Sequence, residues 1–410
     1  MQEYISADAM VRAMRPDHPV YCLRPHAVTT ATTWFRENFP GRVLFAVKTN
    51  PHFVQTVAAA GVRHFDVASL GEIELVSRLV PDARQSFMHP VKSRTAIRRA
   101  YFDFGIRDFS LDCEAELDKI LEETGNASDL NLFVRVAVSN RHSCYELAGK
   151  FGVGGSQAAD LLLRTRQVAR QLGICFHAGS QIMRTDAYLE AMEEVADLIR
   201  KSGVIIDILD VGGGFPSIYP NLFPPPLVDF VNRIEDCFEQ MPVSETCELW
   251  CEPGRALVAE GASLVVKVEM RKDRTLYLND GTYGGLFDAG QPGFIFPTER
   301  LQSTNYSGSN QLVEFSFYGP TCDSMDFMPG PFLLPDDVNQ EDYIEIGGLG
   351  AYSMQLRTAF NGFGEYALVT VSDAPIMTLF GSPKEAVNGV TATIFGNTAI
   401  EAGQLPGDVK

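Results

Sequence analysis

Positive charge is what this sequence is short of: 34 Lys and Arg stand against 52 Asp and Glu, a formal net charge of -18. A surface that acidic repels phosphate backbones and anionic headgroups. It argues against nucleic-acid and membrane binding and mildly favours cationic small molecules. Cysteine is sparse as well. The eight, at positions 22, 113, 144, 175, 237, 247, 251 and 322, form no CxxC pair and no dense ladder. That excludes a disulfide scaffold, gives no reason to expect a structural zinc or other metal, and points to free thiols in a reducing compartment. No stretch approaches about eighteen uncharged apolar residues. The opening Met1-Gln2-Glu3-Tyr4-Ile5 lacks the basic-then-apolar pattern of a secretory signal, so a cytoplasmic protein is expected.

What is present is an ordinary globular composition, 45% hydrophobic and 21% charged over 410 residues, long enough for two domains or one large barrel with an addition. After a short helical stretch and the strand candidate Val20–Leu23, apolar runs alternate with amphipathic helices, the pattern of parallel strands joined by helical crossovers. Eight strands are expected: Val43–Val47, His64–Val67, Ser86–Met88, Asp108–Ser110, Leu132–Val136, Ile174–Ala178, Ile205–Val211 and Leu249–Glu252. Between them Val54, Val57 and Ala58, then Ile73, Val76 and Leu79, recur at helical spacing. The length suits a (β/α)8 TIM-type barrel over residues 24–258. From about 260 the texture turns all-β, with strands at Ser263–Arg271, Arg274–Leu278, around Phe332, Tyr343–Ile346, Phe363–Thr370 and Thr391–Phe395. Residues 1–23 and 259–410 are therefore expected to form a β-rich, barrel-like domain. Tyr219–Pro226 reads as a rigid connector, Gln302–Asn310 as a surface loop and the residues from Gly396 as a loosely held tail.

In a (β/α) barrel the chemistry sits at the strand C-termini, and those ends carry Lys48, Asp66, His89, Asp112, Arg135, His177, Gly212 and Glu252. Lys48 closes the apolar run Gly41–Val47. Pressed against apolar walls its ammonium loses solvation, its pKa falls, and the neutral amine can attack an aldehyde; taken alone, it reads as well as a solvated strand-end lysine. Gly212-Gly213-Gly214 follows a strong apolar strand, where missing β-carbons let backbone N–H groups converge on an anion, or simply allow a tight turn. Glu252-Pro253-Gly254-Arg255 sets a carboxylate and a guanidinium three residues apart, either a pocket pair or a surface ion pair. His177-Ala178-Gly179-Ser180 adds a flat imidazole and a hydroxyl. Together these are the parts that pyridoxal 5'-phosphate requires: a lysine for its aldehyde, a cradle for its phosphate, a ring to stack on and a carboxylate for its pyridine nitrogen.

These stretches, with Phe65-Asp66-Val67-Ala68-Ser69 and Glu72, Tyr318-Gly319-Pro320-Thr321-Cys322-Asp323 and Gly350-Ala351-Tyr352, resemble in order the motifs of the fold-type III pyridoxal phosphate-dependent decarboxylases. Gly319–Asp326 and Phe360-Asn361-Gly362-Phe363 are most similar to the ornithine decarboxylase branch. The resemblance runs from about Val20 to about Val371. It implies decarboxylation of a basic L-amino acid, most readily L-ornithine to putrescine, as in polyamine biosynthesis. It further implies that Lys48 holds the cofactor aldehyde and His177 stacks on its ring. Ser180, Gly212, Gly213, Gly214, Arg255 and Tyr352 would hold the phosphate, and Glu252 the ring nitrogen. Asp66, Arg135 and Glu72 would line the lysine side. Cys322 would deliver a proton to Cα, Asp323 would bind the distal ammonium, and a head-to-tail homodimer would share two active sites.

The chain departs from that branch after Asp280-Gly281-Thr282-Tyr283-Gly284-Gly285. The position at which the resemblance implies a second aspartate reading the distal amine falls near Pro292, which supplies no carboxylate. Asp288, beside Tyr283, is the candidate substitute. Lysine or another diamino acid is therefore an alternative substrate. Two further readings compete: a catalytically inactive relative acting by binding, which would be expected to have lost the lysine, glycines or cysteine, and a racemase, which would want a weaker electron sink than Glu252 supplies.

Overall fold

The computed structural model describes residues 1–139, 149–290, 292–301 and 308–381 and the backbone of 143–145. Nine parallel segments form the first sheet, in the order Arg42–Val43, Glu248–Cys251, Ile208–Asp210, Gln171–Cys175, Asn131–Arg135, Asp108–Leu111, Arg84–Phe87, His64–Val67, Phe45–Ala46. The two outermost segments are pieces of one strand interrupted at Leu44, whose N–H donates to Cys251 O at 2.8 Å. The sheet therefore closes on itself as a barrel of eight positions.

Alternation along each strand separates two cores. Leu44, Met88, Phe133, Cys175, Ile208 and Trp250 fill the lumen as one buried cluster. Their neighbours Val43, Phe45, Leu132, Val134, Ile174 and Leu209 pack outward on the helices, as a period of two requires. The helices take the complementary period. Asp186–Ser202 buries Ala187, Tyr188, Ala191, Met192, Val195 and Ala196 and stops at Gly203, whose φ of 64° only glycine adopts at low cost. Ser69 and Ser93 cap their helices by accepting from Glu72 N and Ala96 N.

The second sheet is organised on the long strand Ala262–Lys272, which pairs with Val20–Leu23, Thr275–Leu278 and Tyr343–Ile346. Gln2–Tyr4 lies parallel to Ala367–Val371, so residues from both ends of the described chain share this sheet. Sequence periodicity did not foretell Gln2–Tyr4, Thr298–Leu301 or Leu312–Tyr318. The expected strand Phe363–Thr370 shortens to Ala367–Val371, because Phe360–Gly362 is a turn with Asn361 at φ 53°. Likewise Ile205–Val211 shortens to Ile208–Asp210, with Ile205 69% exposed. The expected strand Thr391–Phe395, the tail from Gly396 and residues 302–307 of the expected surface loop lie outside the described residues. Among the described residues no helix is long and apolar enough to cross a membrane.

The two sheets are stapled beside Lys48. Asn50 Nδ2 donates to Gly350 O at 2.8 Å, Gln355 Nε2 to Asn50 Oδ1 at 2.9 Å, and Tyr352 N to Thr49 O at 3.1 Å. This fixes the turn carrying the lysine from both sides.

Candidate active site

Lys48 sits in the single turn Val47–Thr49 just past the interrupted strand. Its side chain is 43% exposed at the barrel mouth, and Nζ lies 2.6 Å from Oδ2 of Asp66, which is buried within the strand His64–Val67. The expectation of a depressed lysine pKa is overturned. Burial does push it down, but Asp66, with Glu252 and Tyr352 behind it, outweighs burial and holds the ammonium above its ordinary range. Glu72 is a capping residue here: its Oε2 accepts from Ala68 N at 2.7 Å, while its own N–H reaches Ser69 Oγ. Burial raises its pKa, and its field reaches Asp66 and Lys48.

The glycine loop is held by its carbonyls. Gly212 O accepts from Glu252 N at 2.8 Å, Gly213 O from the Tyr188 hydroxyl at 2.9 Å and Gly214 O from Ile182 N at 3.0 Å. Gln181, fully buried with φ 55°, clasps Ser217 through both ends of its amide, at 2.6 and 3.0 Å. Gly212 N donates to Asp210 Oδ1 at 2.8 Å. With the carbonyls occupied by scaffold, the remaining N–H groups are what the loop offers a ligand. A β-carbon on Gly213 would lie 2.7 Å from Glu252 O and 3.3 Å from His177 Nε2, so only glycine fits between imidazole and strand. Neither Tyr188 nor Gln181 was singled out from sequence; both sit inside ordinary amphipathic patterns.

Beside the loop stand two buried carboxyls. Glu252 Oε1 and Asp210 Oδ2 have no hydrogen-bond partner among the described residues. Burial raises both pKa values, Asp210 to about 6 and Glu252 well above its ordinary value; Asp210 and Asp66 push Glu252 further. A coupled pair of this kind keeps a proton at neutral pH. His177, whose Nδ1 accepts from Gly179 N at 3.1 Å, is driven down to about 3 by burial and by the positive charges of Arg135 and Lys48, so its ring is neutral. Arg135 ends the strand Asn131–Arg135 and is partly buried. Ser180 begins the short strand Ser180–Ile182, paired with Ser143–Tyr145.

Arg255 follows at the start of a one-turn helix and is 6% exposed. Nη1 donates to the Tyr219 hydroxyl at 3.1 Å and Nη2 to Asp288 Oδ2 at 3.3 Å. Its guanidinium lies 5.1 Å from the ring centres of Phe294 and Tyr352. Burial opposes its charge, but Tyr219 and Asp288 hold its pKa above the ordinary value. Tyr219, expected in a mere connector, is thus fully buried in the site. Asp288, expected to face a distal amine, meets Arg255 through Oδ2, directed inward by the one-turn segment Phe287–Ala289.

The third cluster lies on the second sheet. Cys322 is exposed, with N and Sγ donating to Asn361 Oδ1 at 3.1 and 3.2 Å. Asp323 Oδ2 accepts from the Tyr283 hydroxyl at 2.5 Å and Oδ1 from Met325 N at 3.0 Å, which lowers its pKa. Asp326 organises this loop, accepting from the backbone and hydroxyls of Thr282 and Thr321 at 2.7 to 3.0 Å while 1% exposed. The fold thus gathers Lys48, Asp66, Glu72, His177, the glycine loop and Glu252 at the barrel mouth, with Arg255 and Tyr352 adjoining. Tyr283, Cys322 and Asp323 form a separate group.

The chain is similar to known proteins over most of its length. The pyridoxal binding domain of the pyridoxal-dependent decarboxylases matches residues 26–259. Lysine/ornithine decarboxylase of Selenomonas ruminantium is 30% identical over 348 residues, 81% of this chain and 84% of that protein. Ornithine decarboxylase of Caenorhabditis elegans is 30% identical over 363 residues, 81% and 82% of the two. Among solved structures, the Paramecium bursaria Chlorella virus arginine decarboxylase bound to agmatine superposes with a TM-score of 0.77 at 27% identity, covering 88% of this chain and 98% of that one.

Proposed function

Because this chain belongs to the pyridoxal-dependent decarboxylase family, we propose that it removes CO2 from a basic L-amino acid, L-ornithine foremost, releasing putrescine. The observation that carries the reading is the barrel mouth itself. Lys48, a neutral His177, a glycine loop stripped of β-carbons and Glu252, with a buried oxygen lacking any partner among the described residues, meet there.

The residues fit pyridoxal phosphate. Glu252 Oε1 is a buried acceptor without a partner among the described residues, and Gly213, lacking a β-carbon, lets the His177 imidazole stand against the strand that carries Glu252. Bound there, the cofactor supplies an electron sink for the pair left when the Cα–carboxylate bond breaks. Lys48 holds its aldehyde carbon, with Asp66 keeping the amine in place and Arg135 lining the same side. Neutral His177 offers a flat face without adding charge. Glu252 shares a proton with the ring nitrogen and so strengthens the sink. Ser180, the glycine loop through the N–H groups of Gly213 and Gly214, Arg255 and Tyr352 bind the phosphate, while Gly212 N is held by Asp210. The Cys322 thiol gives its proton to Cα after CO2 leaves. Asp323, steadied by Tyr283, receives the distal ammonium, whose burial without a partner would cost several kcal/mol.

Cys322 is exposed and Asp323 half-buried beside Met325, Phe360 and Phe363, which are 55, 42 and 47% exposed. That supports a head-to-tail homodimer in which each subunit completes its partner's site. The free thiols among the described residues support a cytoplasmic setting. A second substrate reading is L-lysine: the loop after Tyr283 departs from the ornithine decarboxylase motif and turns Asp288 Oδ2 to Arg255, which alters the end of the pocket that measures chain length.

The test is initial CO2 release by the cofactor-loaded protein from L-ornithine, L-lysine, L-arginine and meso-diaminopimelate, with Lys48→Ala alongside. Ornithine leading and a silent mutant are expected. Lysine leading would transfer the assignment to the longer diamino acid, and silence with every substrate would overturn the reading.

A further inference from the structure

Arg255 is enclosed. Tyr219 and Asp288 each accept from one end of its fork, at 3.1 and 3.3 Å, and Phe294 and Tyr352 flank its face. Its Nε is buried without a partner among the described residues, so it remains a donor to offer. Asp288 is itself only 8% exposed. Its backbone carbonyl accepts from Phe294 N at 2.8 Å, so one loop carries both the acid and the aromatic wall over the guanidinium.

A carboxylate in this place does two things. It offsets the cost of burying a guanidinium and fixes the direction of the fork. It also cancels part of the arginine's field and repels a second anion brought to the same fork. We propose that Asp288 is the counter-ion of the phosphate cradle, a positioning residue that orients Arg255 and limits how tightly the site holds a phosphate monoester. The proposal rests on the reading that Arg255 and the glycine loop receive the cofactor's phosphate.

The experiment strips the full-length protein of cofactor with hydroxylamine and re-titrates it with pyridoxal 5'-phosphate and, separately, with phosphate-free pyridoxal, following cofactor absorbance. Asp288→Asn, which keeps the shape and removes the charge, should tighten pyridoxal 5'-phosphate about tenfold and leave pyridoxal unchanged. Asp288→Ser removes the charge with a smaller side chain and should move the same way, which guards against a packing defect in either variant. Unchanged or weaker pyridoxal 5'-phosphate binding in both variants, or equal shifts for both ligands, would overturn the proposal. Arg255→Gln separates the two layers of argument. If it weakens only the phosphorylated ligand while the Asp288 variants bind like wild type, the counter-ion role alone fails. If it leaves both ligands unaffected, the phosphate reading of the cradle fails and the counter-ion role falls with it.

Discussion

Lys48 shows how a single neighbour reverses a rule of thumb. Desolvation at the end of an apolar strand lowers a lysine pKa, yet the Asp66 carboxylate at 2.6 Å holds the charge in place. Asp66→Asn should remove that hold, bring Lys48 down and quicken its reaction at pH 8 with trinitrobenzenesulfonate, read by peptide mapping. An unchanged rate would mean that the more remote Glu252 and Tyr352 suffice. His177 runs the other way. An unfolded histidine takes up a proton near pH 6.5, whereas His177 folded does so only near 3. The unfolded state therefore binds more protons between those values, and stability is present above about 6.5 and lost as the pH falls toward 3. His177→Phe keeps a flat ring and removes that titration. It should spare about 1 kcal/mol of the loss between pH 7 and pH 5, after allowing for partial exposure, measured as urea midpoints at the two pH values.

At the scale of the element, the two ends of each barrel strand do different work. The C-terminal ends carry the site. At the N-terminal ends Asp108 gathers Arg84 at 2.8 and 3.0 Å, Ser86 at 2.8 Å and Asn131 at 2.6 Å, and Ser86 reaches His64 at 2.7 Å. Each of His64, Arg84, Asp108 and Asn131 is the first residue of its strand. Asp108 is held far below the usual carboxylate range by these partners despite its burial. Asp108→Asn leaves Arg84 without its counter-charge and should cost about 3 kcal/mol in urea unfolding, with kcat for CO2 release nearly unchanged. A large loss of kcat in folded protein would mean that the floor of the barrel communicates with its mouth. Strand positions were legible because an apolar run in a parallel sheet is both locally distinctive and buried on two faces. The strands Thr298–Leu301 and Leu312–Tyr318 were not: their exposed and half-buried residues owe their pairing to distant partners rather than to their own pattern.

At the scale of the whole molecule, the proposed shared site makes a quantitative demand. Lys48→Ala and Cys322→Ala, inactive apart, should regain about a quarter of wild-type CO2 release when unfolded together and refolded as an equal mixture, because half the random dimers contain one intact site of two. No recovery would place both residues in the same subunit's site. What the sequence by itself determined is the barrel, the order of its motifs and the chemical type of the cofactor site. These follow from short-range periodicity and from glycines, a lysine and a carboxylate fixed at strand ends. Only the tertiary structure decided what each charge faces. Asp66 reaches Lys48 from eighteen residues away, Asp288 meets Arg255 across thirty-three and Tyr219 meets it across thirty-six. Electrostatic character is set by neighbours in space, and a buried ionisable group takes its pKa, and with it its role, from contacts that no local pattern encodes.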